Sequence, residues 1–469
     1  MMLSTLASVL FLVSQADADR PWTLLIYGAA DNNADGPILG FLGGVRTAIN
    51  DDPGFEIILF LDRSDKYSTD KQSLGEDFTG ARLYRVRRDR AERLAGDEEF
   101  PEITLQSEYE ANSADPENLR KFIAFGKAHF PAQHYALIIY SHADGRTMCP
   151  DESAGADMGI AQVSDVLTEE ESVDFLGLEL CNMGGIEVAY QWRPAPGRFG
   201  ADVLLAIPNA GPPLDWNRIF DRCHTPGHVD AGERTIDPAK LSAEQLGILA
   251  IEEGYAGRRN AQKQHPDREA SNFESAGCYD LRRAQEVKDA VDAFARELAK
   301  ANAKEIMKEL RGPGPRGIAM NYVHDDLTDR PYVDLHDLLR RATQCAELTA
   351  GARDAAAAAM TKVDAFVLAS FAMDGYRGFE PGKNGVFIVF PIGDEPVPQV
   401  FGSPSRRWRQ FLWYTPNAGD PKSKIYGSWA WCRDGAKPDD GIVENWFELL
   451  DCWFDDPAAG AGGCNRYVW

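Results

Sequence analysis

Several familiar signatures are missing from this chain of 469 residues, and each absence narrows its function. No uninterrupted apolar run reaches the ~18–20 residues that a membrane-spanning helix needs. The eight cysteines contain no CxxC pair, which removes zinc ribbons and thioredoxin-like redox motifs. There is no GxSxG elbow, no GxxxxGK[ST] loop and no HExxH helix. Serine hydrolases, nucleotide hydrolases and zincins therefore lack their usual signs. Positive charge is scarce as well. Lys and Arg number 49 against 73 Asp and Glu, a formal net charge of -24 with a pI near 4.8. Such a chain has no general attraction for phosphate backbones or anionic membranes, so neither nucleic acid nor a membrane is expected as partner. Hydrophobic content of 44% and charged content of 26% are those of an ordinary globular protein.

What is present begins with a leader. Leu6–Val13 is a short apolar run, and Ala16-Asp17-Ala18 fits a small-x-small cleavage site. Residues 1–18 thus read as a signal peptide, and the mature protein as secreted or periplasmic. The cysteines (Cys149, Cys181, Cys223, Cys278, Cys345, Cys432, Cys452 and Cys464) are widely scattered, and their pairing after export cannot be read from spacing.

From Trp22 to Pro208, apolar strands alternate with helices. Trp22–Tyr27, Phe55–Leu61, Tyr135–Tyr140, Val173–Leu180 and Val203–Ile207 read as strands. Asp115-Pro116 marks a helix start whose apolar face carries Leu119, Phe122 and Ile123, and a further helix is expected over Gly184–Trp192. Continuous apolar strands of this kind form a mainly parallel sheet covered on both faces, an α/β fold. Beyond residue 240 the chain turns more helical, with Asp334–Ser370 read as largely Ala-rich helix and Asn384–Pro391 as one more strand. Seven of the ten tryptophans fall in the last 70 residues. These divide the chain into a leader (1–18), a main domain (19–395) and an aromatic-rich C-terminal extension (396–469).

In parallel sheets, ligands collect at the carboxyl ends of strands. Two strands here run into reactive residues: Tyr135–Tyr140 into Ser141-His142-Ala143-Asp144-Gly145, and Val173–Leu180 into Cys181-Asn182-Met183-Gly184. If the strands are neighbours, a thiol and an imidazole emerge at one edge as nucleophile and proton carrier. A helix following Cys181 would favour its thiolate. The backbone N–H groups of Ala143 and Cys181 are placed to hold an oxyanion.

At these residues the chain resembles the clostripain family of cysteine peptidases, relatives of caspases, legumain and gingipains. The resembling segments are Leu25–Asn33, Tyr140–Gly145, Phe175–Tyr190, Tyr279–Leu281, Val333–Leu335 and Gly385–Pro391, in the family's order. The resemblance implies a caspase-like fold, a peptide or protein substrate, and His142 and Cys181 as a catalytic dyad. Glu179 matches the family's acidic residue two positions before the nucleophile, which faces the pocket for a basic side chain. Residues 179 and 181 of an extended segment point to one side, and a carboxylate there would select Arg or Lys. Asp215 is the weaker candidate for a second acidic partner.

The chain departs from the family in carrying Ala143 where glycine is usual. Between Ala143 and Leu180 the only basic residue is Arg146, so no activating cleavage is expected in that loop. No cofactor is required. Calcium, which some relatives use, would draw on Asp144, Asp151, Glu152 and Asp157. Cys223-His224-Thr-Pro-Gly-His228 carries metal-capable side chains, but Pro226-Gly227 denies it a helical face, and it reads as a loop rather than a metal site. Two rival readings are a catalytically silent peptide-binding protein on the same scaffold, and a structural export with Cys181 in a disulfide.

Overall fold

The computed structural model describes residues 20–49, 51–67, 73–76, 78–106, 108–265, 273–312, 319–322, 331–391, 396–397, 406–407, 426–438, 440–454 and 464. The leader, residues 1–18, lies outside the described residues. So do Trp408, Trp413 and Trp469.

A nine-stranded sheet forms the centre. In chain order its strands are β1 (Trp22–Ala30), β2 (Phe55–Arg63), β3 (Gly80–Arg87), β4 (Arg90–Leu94), β5 (His134–Tyr140), β8 (Val173–Glu179), β9 (Ala201–Ala206), β10 (Ser275–Asp280) and β12 (Val367–Ala372). Outside it lie the hairpin strands β6 (Thr147–Asp151) and β7 (Ala156–Gly159), and the pair β11 (Tyr332–Asp334) and β13 (Phe387–Val389). The spatial order is β12-β10-β9-β8-β5-β1-β2-β3-β4. The five strands from β9 to β2 are mutually parallel, and the outer strands are joined by antiparallel pairings, so that β10 and β3 run opposite to the five. The five strands expected from the apolar runs are these five.

The two-residue period of each strand divides the core. Leu25, Tyr27, Ile58 and Phe60 belong to one buried cluster, while Leu24, Ile26, Ile57 and Leu59 belong to the other. The helix Pro116–His129 covers the first face through Leu119, Phe122 and Ile123. It starts as expected: Asp115 accepts from the Glu117 N–H at 3.0 Å, and Pro116 takes the first helical position. The helices Asp35–Ile49 and Ala243–Gln264 cover the second face.

Two expectations change. The Ala-rich segment splits into helices Leu335–Gln344 and Ala350–Phe366, and then becomes β12. Pairing with β10 gives those last residues backbone partners that helix propensity does not anticipate. The helix expected over 184–192 is shorter, Ile186–Gln191, because the two glycines before it remain extended or turn-like. The described C-terminal tryptophans, Trp429, Trp431, Trp446 and Trp453, pack onto the core, the plainer reading of their concentration. The boundary at 395 falls among residues outside the described set, but 426–454 packs into the same core as the sheet. There Tyr426 donates to Glu187, Ala430 N–H donates to Gln191, and Trp446 Nε1 donates to the Val389 carbonyl.

Candidate active site

β5 and β8 are adjacent and parallel, with Tyr140 opposite Glu179. His142 and Cys181 each lie two residues beyond that pair. They therefore leave the sheet side by side, from strands ~4.8 Å apart. The two loops also touch. Gly145 has φ +89°, and a Cβ built on it would lie 3.0 Å from the Asn182 carbonyl oxygen, so only glycine fits there.

The histidine loop is closed by its own backbone. Cys149 N–H donates to the His142 carbonyl at 3.0 Å, and Asp144 N–H to the Thr147 carbonyl at 3.1 Å. Ala143 bridges to Met148. The Asp144 carboxylate accepts from the backbone N–H groups of Arg146 and Thr147, at 2.9 and 2.8 Å, which makes it a turn-former. Tyr332 anchors the loop from outside, donating to the Asp144 carbonyl at 2.7 Å.

His142 itself is exposed at the cleft, and its Nε2 lies 2.6 Å from Asn33 Oδ1. The protein around the ring lowers its pKa below the ordinary imidazole value by desolvation. Asn33 is in turn set by its neighbour. Asn32 donates to the Ala29 and Pro150 carbonyls and accepts from Ala34 N–H, which lashes the end of β1 to the β6 hairpin. The contact between Asn33 and His142 spans 109 residues and carries no local signal.

Cys181 is partly exposed and is not in a disulfide; among the described residues the one disulfide joins Cys452 to Cys464. After it the chain turns sharply through Asn182, with φ +60°. Asn182 N–H donates to the Asn209 carbonyl at 2.8 Å and Met183 N–H to the Ile207 carbonyl at 2.9 Å. Gly184 backs onto Pro208, where a Cβ would come within 2.8 Å of the proline Cα. The expected help from a helix dipole is withdrawn. The helix starts only at Ile186 and has six residues, so its weak field does not begin beside the thiol.

Glu179 is buried, and both its oxygens are in use. Oε2 accepts from Leu214 N–H at 2.9 Å, and Oε1 from Trp216 Nε1 at 2.6 Å. Burial raises its pKa, opposed by these two hydrogen bonds and by the charge of Arg258. Asp215 sits between the two gripped residues, half-buried at the start of the helix Trp216–Phe220. Glu179 thus clamps the loop that carries Asp215, whose own side chain lies beside the helix Ala243–Gln264: a Cβ on Gly257 would sit 3.6 Å from Asp215 Oδ2.

The segments that carried the family resemblance meet as a frame. The Tyr279 hydroxyl donates to the Gly385 carbonyl. Asp334 accepts from Asn384 Nδ2 at 2.7 Å, Gly385 N–H at 2.9 Å and the Tyr322 hydroxyl at 2.7 Å.

The comparisons with known proteins agree with this geometry. The model of the clostripain family matches residues 26–446. The chain belongs to the clostripain family. It is 36% identical to clostripain of Hathewaya histolytica over 97% of this chain and 91% of that protein. Two solved structures share the fold. The inactive zymogen C11 protease of Parabacteroides distasonis superposes with TM-score 0.52 at 16% identity, over 80% of this chain and 92% of that one. A secreted C11 cysteine protease of Bacteroides thetaiotaomicron, bound to an irreversible peptide inhibitor, gives 0.51 at 17% identity, over 83% and 97%. The protein is accordingly a cysteine endopeptidase of the clostripain family acting on peptide or protein substrates, on a caspase-like fold.

The four acids considered for calcium each accept hydrogen bonds from the protein. Asp151 accepts from Ser113 N–H and Oγ and from Ala154 N–H, and Glu152 from Lys66 and Tyr67. Asp144 closes its turn, and Asp157 accepts from Thr147 Oγ1. Among the described residues they do not gather, and no catalytic step is drawn through calcium. No helix among the described residues is long and apolar enough to cross a membrane.

Proposed function

We propose that the protein is an exported endopeptidase that cleaves after Arg or Lys with a Cys181–His142 dyad. The observation that carries this is the register of β5 on β8, which delivers imidazole and thiol to one edge. With Asn33 Oδ1 accepting from Nε2–H, the Nδ1 lone pair of His142 is left to take the thiol proton. Sγ then attacks the substrate carbonyl while the N–H groups of Ala143 and Cys181 receive the oxyanion. The imidazolium returns its proton to the leaving amine, forming the acyl-enzyme. Water, deprotonated by His142, attacks this thioester and releases the acid and the free thiol. No ion enters any step.

Basic specificity rests on Glu179 and Asp215. A carboxylate has about four acceptor sites, so Glu179 retains lone pairs after serving Leu214 and Trp216, and a guanidinium brings its own donors. Arg146 lies in the tight turn closed by Asp144, which supports an intact histidine-to-cysteine loop in the active protein.

The test compares wild type with Cys181→Ala on fluorogenic peptides bearing Arg, Lys, Asp or Asn before the reporter, under reducing conditions. Turnover after Arg or Lys, lost in the variant, is expected. Cleavage after another residue would keep the dyad and overturn the pocket. Folded protein with no Cys181-dependent turnover would replace the enzyme with a peptide-binding protein. Export is checked by N-terminal sequencing of the secreted product, expected to begin at Asp19.

A further inference from the structure

At the amino end of the sheet, opposite the catalytic edge, three metal-capable side chains converge from distant parts of the chain. Asp52 lies just before β2, and His224 and His228 lie in the loop after the helix Trp216–Phe220. One ligand atom from each falls within 4.8 Å of the others, the only such group of three among the described residues. We propose that Asp52, His224 and His228 bind a zinc-class divalent cation.

Two imidazoles and one carboxylate suit a borderline metal such as zinc, rather than calcium, which takes oxygen ligands. The spacing fits too. Two ligands each ~2.0–2.1 Å from a tetrahedral ion sit about 3.4 Å apart. Asp52 Oδ2 is 3.3 Å from His224 Nδ1 and 3.8 Å from His228 Nδ1. The second distance is too long for a hydrogen bond but needs only a few tenths of an ångström to become a shared coordination edge. Asp230 Oδ2 is also 3.8 Å from His228 Nδ1, but it lies outside the group of three.

The carboxylate is held as metal-binding carboxylates are, by outer partners. Asp52 Oδ1 accepts from Gly54 N–H at 2.8 Å and Thr225 Oγ1 at 2.6 Å, and Oδ2 accepts from Thr225 N–H at 2.8 Å. The two rings stack with centroids 5.2 Å apart and planes 4° from parallel. Parallel rings cannot both aim their in-plane lone pairs at one ion, so loading turns a ring. His228, with 13% of its side chain exposed against 3% for His224, is the one with room. The ion would staple the 222–237 loop to the turn before β2, a structural role remote from the chemistry.

The experiment uses full-length Cys181→Ala, because a thiol beside His142 would itself capture zinc. The protein is dialysed against chelator and titrated with Co(II), then Zn(II), while absorbance and Tm are followed. A single saturable set of Co(II) d–d bands, displaced by zinc, and a Tm rise of several degrees are expected. His228→Ala should weaken binding by ~10–100-fold and cancel the Tm rise, while leaving the metal-free Tm close to that of its parent. His228→Gln, which keeps more of the side chain's bulk, should behave alike. Absence of the bands in the parent, or binding by both His228 variants as tight as the parent's, overturns the proposal.

Discussion

The two ends of the parallel sheet gather reactive side chains by different means. At the carboxyl end, His142 and Cys181 each follow a strand directly, and one strand pairing makes them neighbours. At the amino end, Asp52 and His224 are 172 residues apart and meet only because the 222–237 loop docks beside the turn before β2. The chemistry differs accordingly. The His142 imidazole is exposed and held through one nitrogen, whereas Asp52 is fully buried and surrounded by donors. A strand register is enough to assemble a reactive edge. A buried cluster needs the finished tertiary structure.

That contrast can be broken most sharply by exchanging the readouts. Cys181→Ala should lower kcat/KM by ~10⁴-fold or more while leaving the Tm nearly unchanged. Asp52→Ala should do the reverse, costing about 2–4 kcal/mol of stability by orphaning the Thr225 and Gly54 donors, with kcat/KM within a few-fold of wild type. Denaturant titration and peptide kinetics on both variants decide it, and a large kinetic loss in Asp52→Ala would mean the two ends are coupled.

Next in size is Asn33, a positioning residue. Asn33→Ala should lower kcat by ~10–100-fold, as a misaligned base does, with KM little changed. The pH profile adds a readout that mere destabilisation would not move. Because desolvation by the surrounding protein lowers the pKa of His142, the neutral, proton-accepting form persists below the ordinary value of about 6.5. The acid limb of kcat/KM in wild type is therefore expected below pH 6.5. Asn33→Asp keeps the acceptor and adds a negative charge, which favours imidazolium, so its acid limb should move up.

How much of this could be read from the chain follows the same division. The five parallel strands were legible because each is a continuous apolar run bounded by turn residues, and the His142 and Cys181 positions followed from where two of those runs stop. The antiparallel strands were not, since β10 and β12 carry Gly277, Ser275 and Ser370 and take their strand state from partners. Asn33, Tyr332 and Trp216 reach the site across 109, 188 and 37 residues, distances at which neither spacing nor periodicity says anything. The C-terminal tryptophans were visible as a concentration, but the seats of Trp431 against Tyr190 and of Trp446 on the Val389 carbonyl were not.

The smaller effects concern the two glutamates that flank the nucleophile, both buried and both raised in pKa by burial. Glu179 has a donor on each oxygen and lies at the proposed pocket. Glu179→Gln should reduce kcat/KM for Arg and Lys peptides by ~10–100-fold and for neutral ones far less. An equal fall for all substrates would make Glu179 only a clamp for Leu214 and Trp216. Glu187 is the opposite case. Its Oε1 accepts from Val389 N–H and Tyr426, but Oε2 is buried without a partner, and its pKa rises to about 7. The folded protein thus keeps a proton that the unfolded chain releases near pH 4.5. Stability contributed by that proton is lost as pH rises from there to about 7. Glu187→Gln should flatten this slope, raising stability at pH 8 relative to wild type by of order 2 kcal/mol without changing substrate preference. Urea titrations of both proteins at pH 5 and pH 8 measure it, and parallel pH dependences would show that Glu187 stays ionised in the folded core.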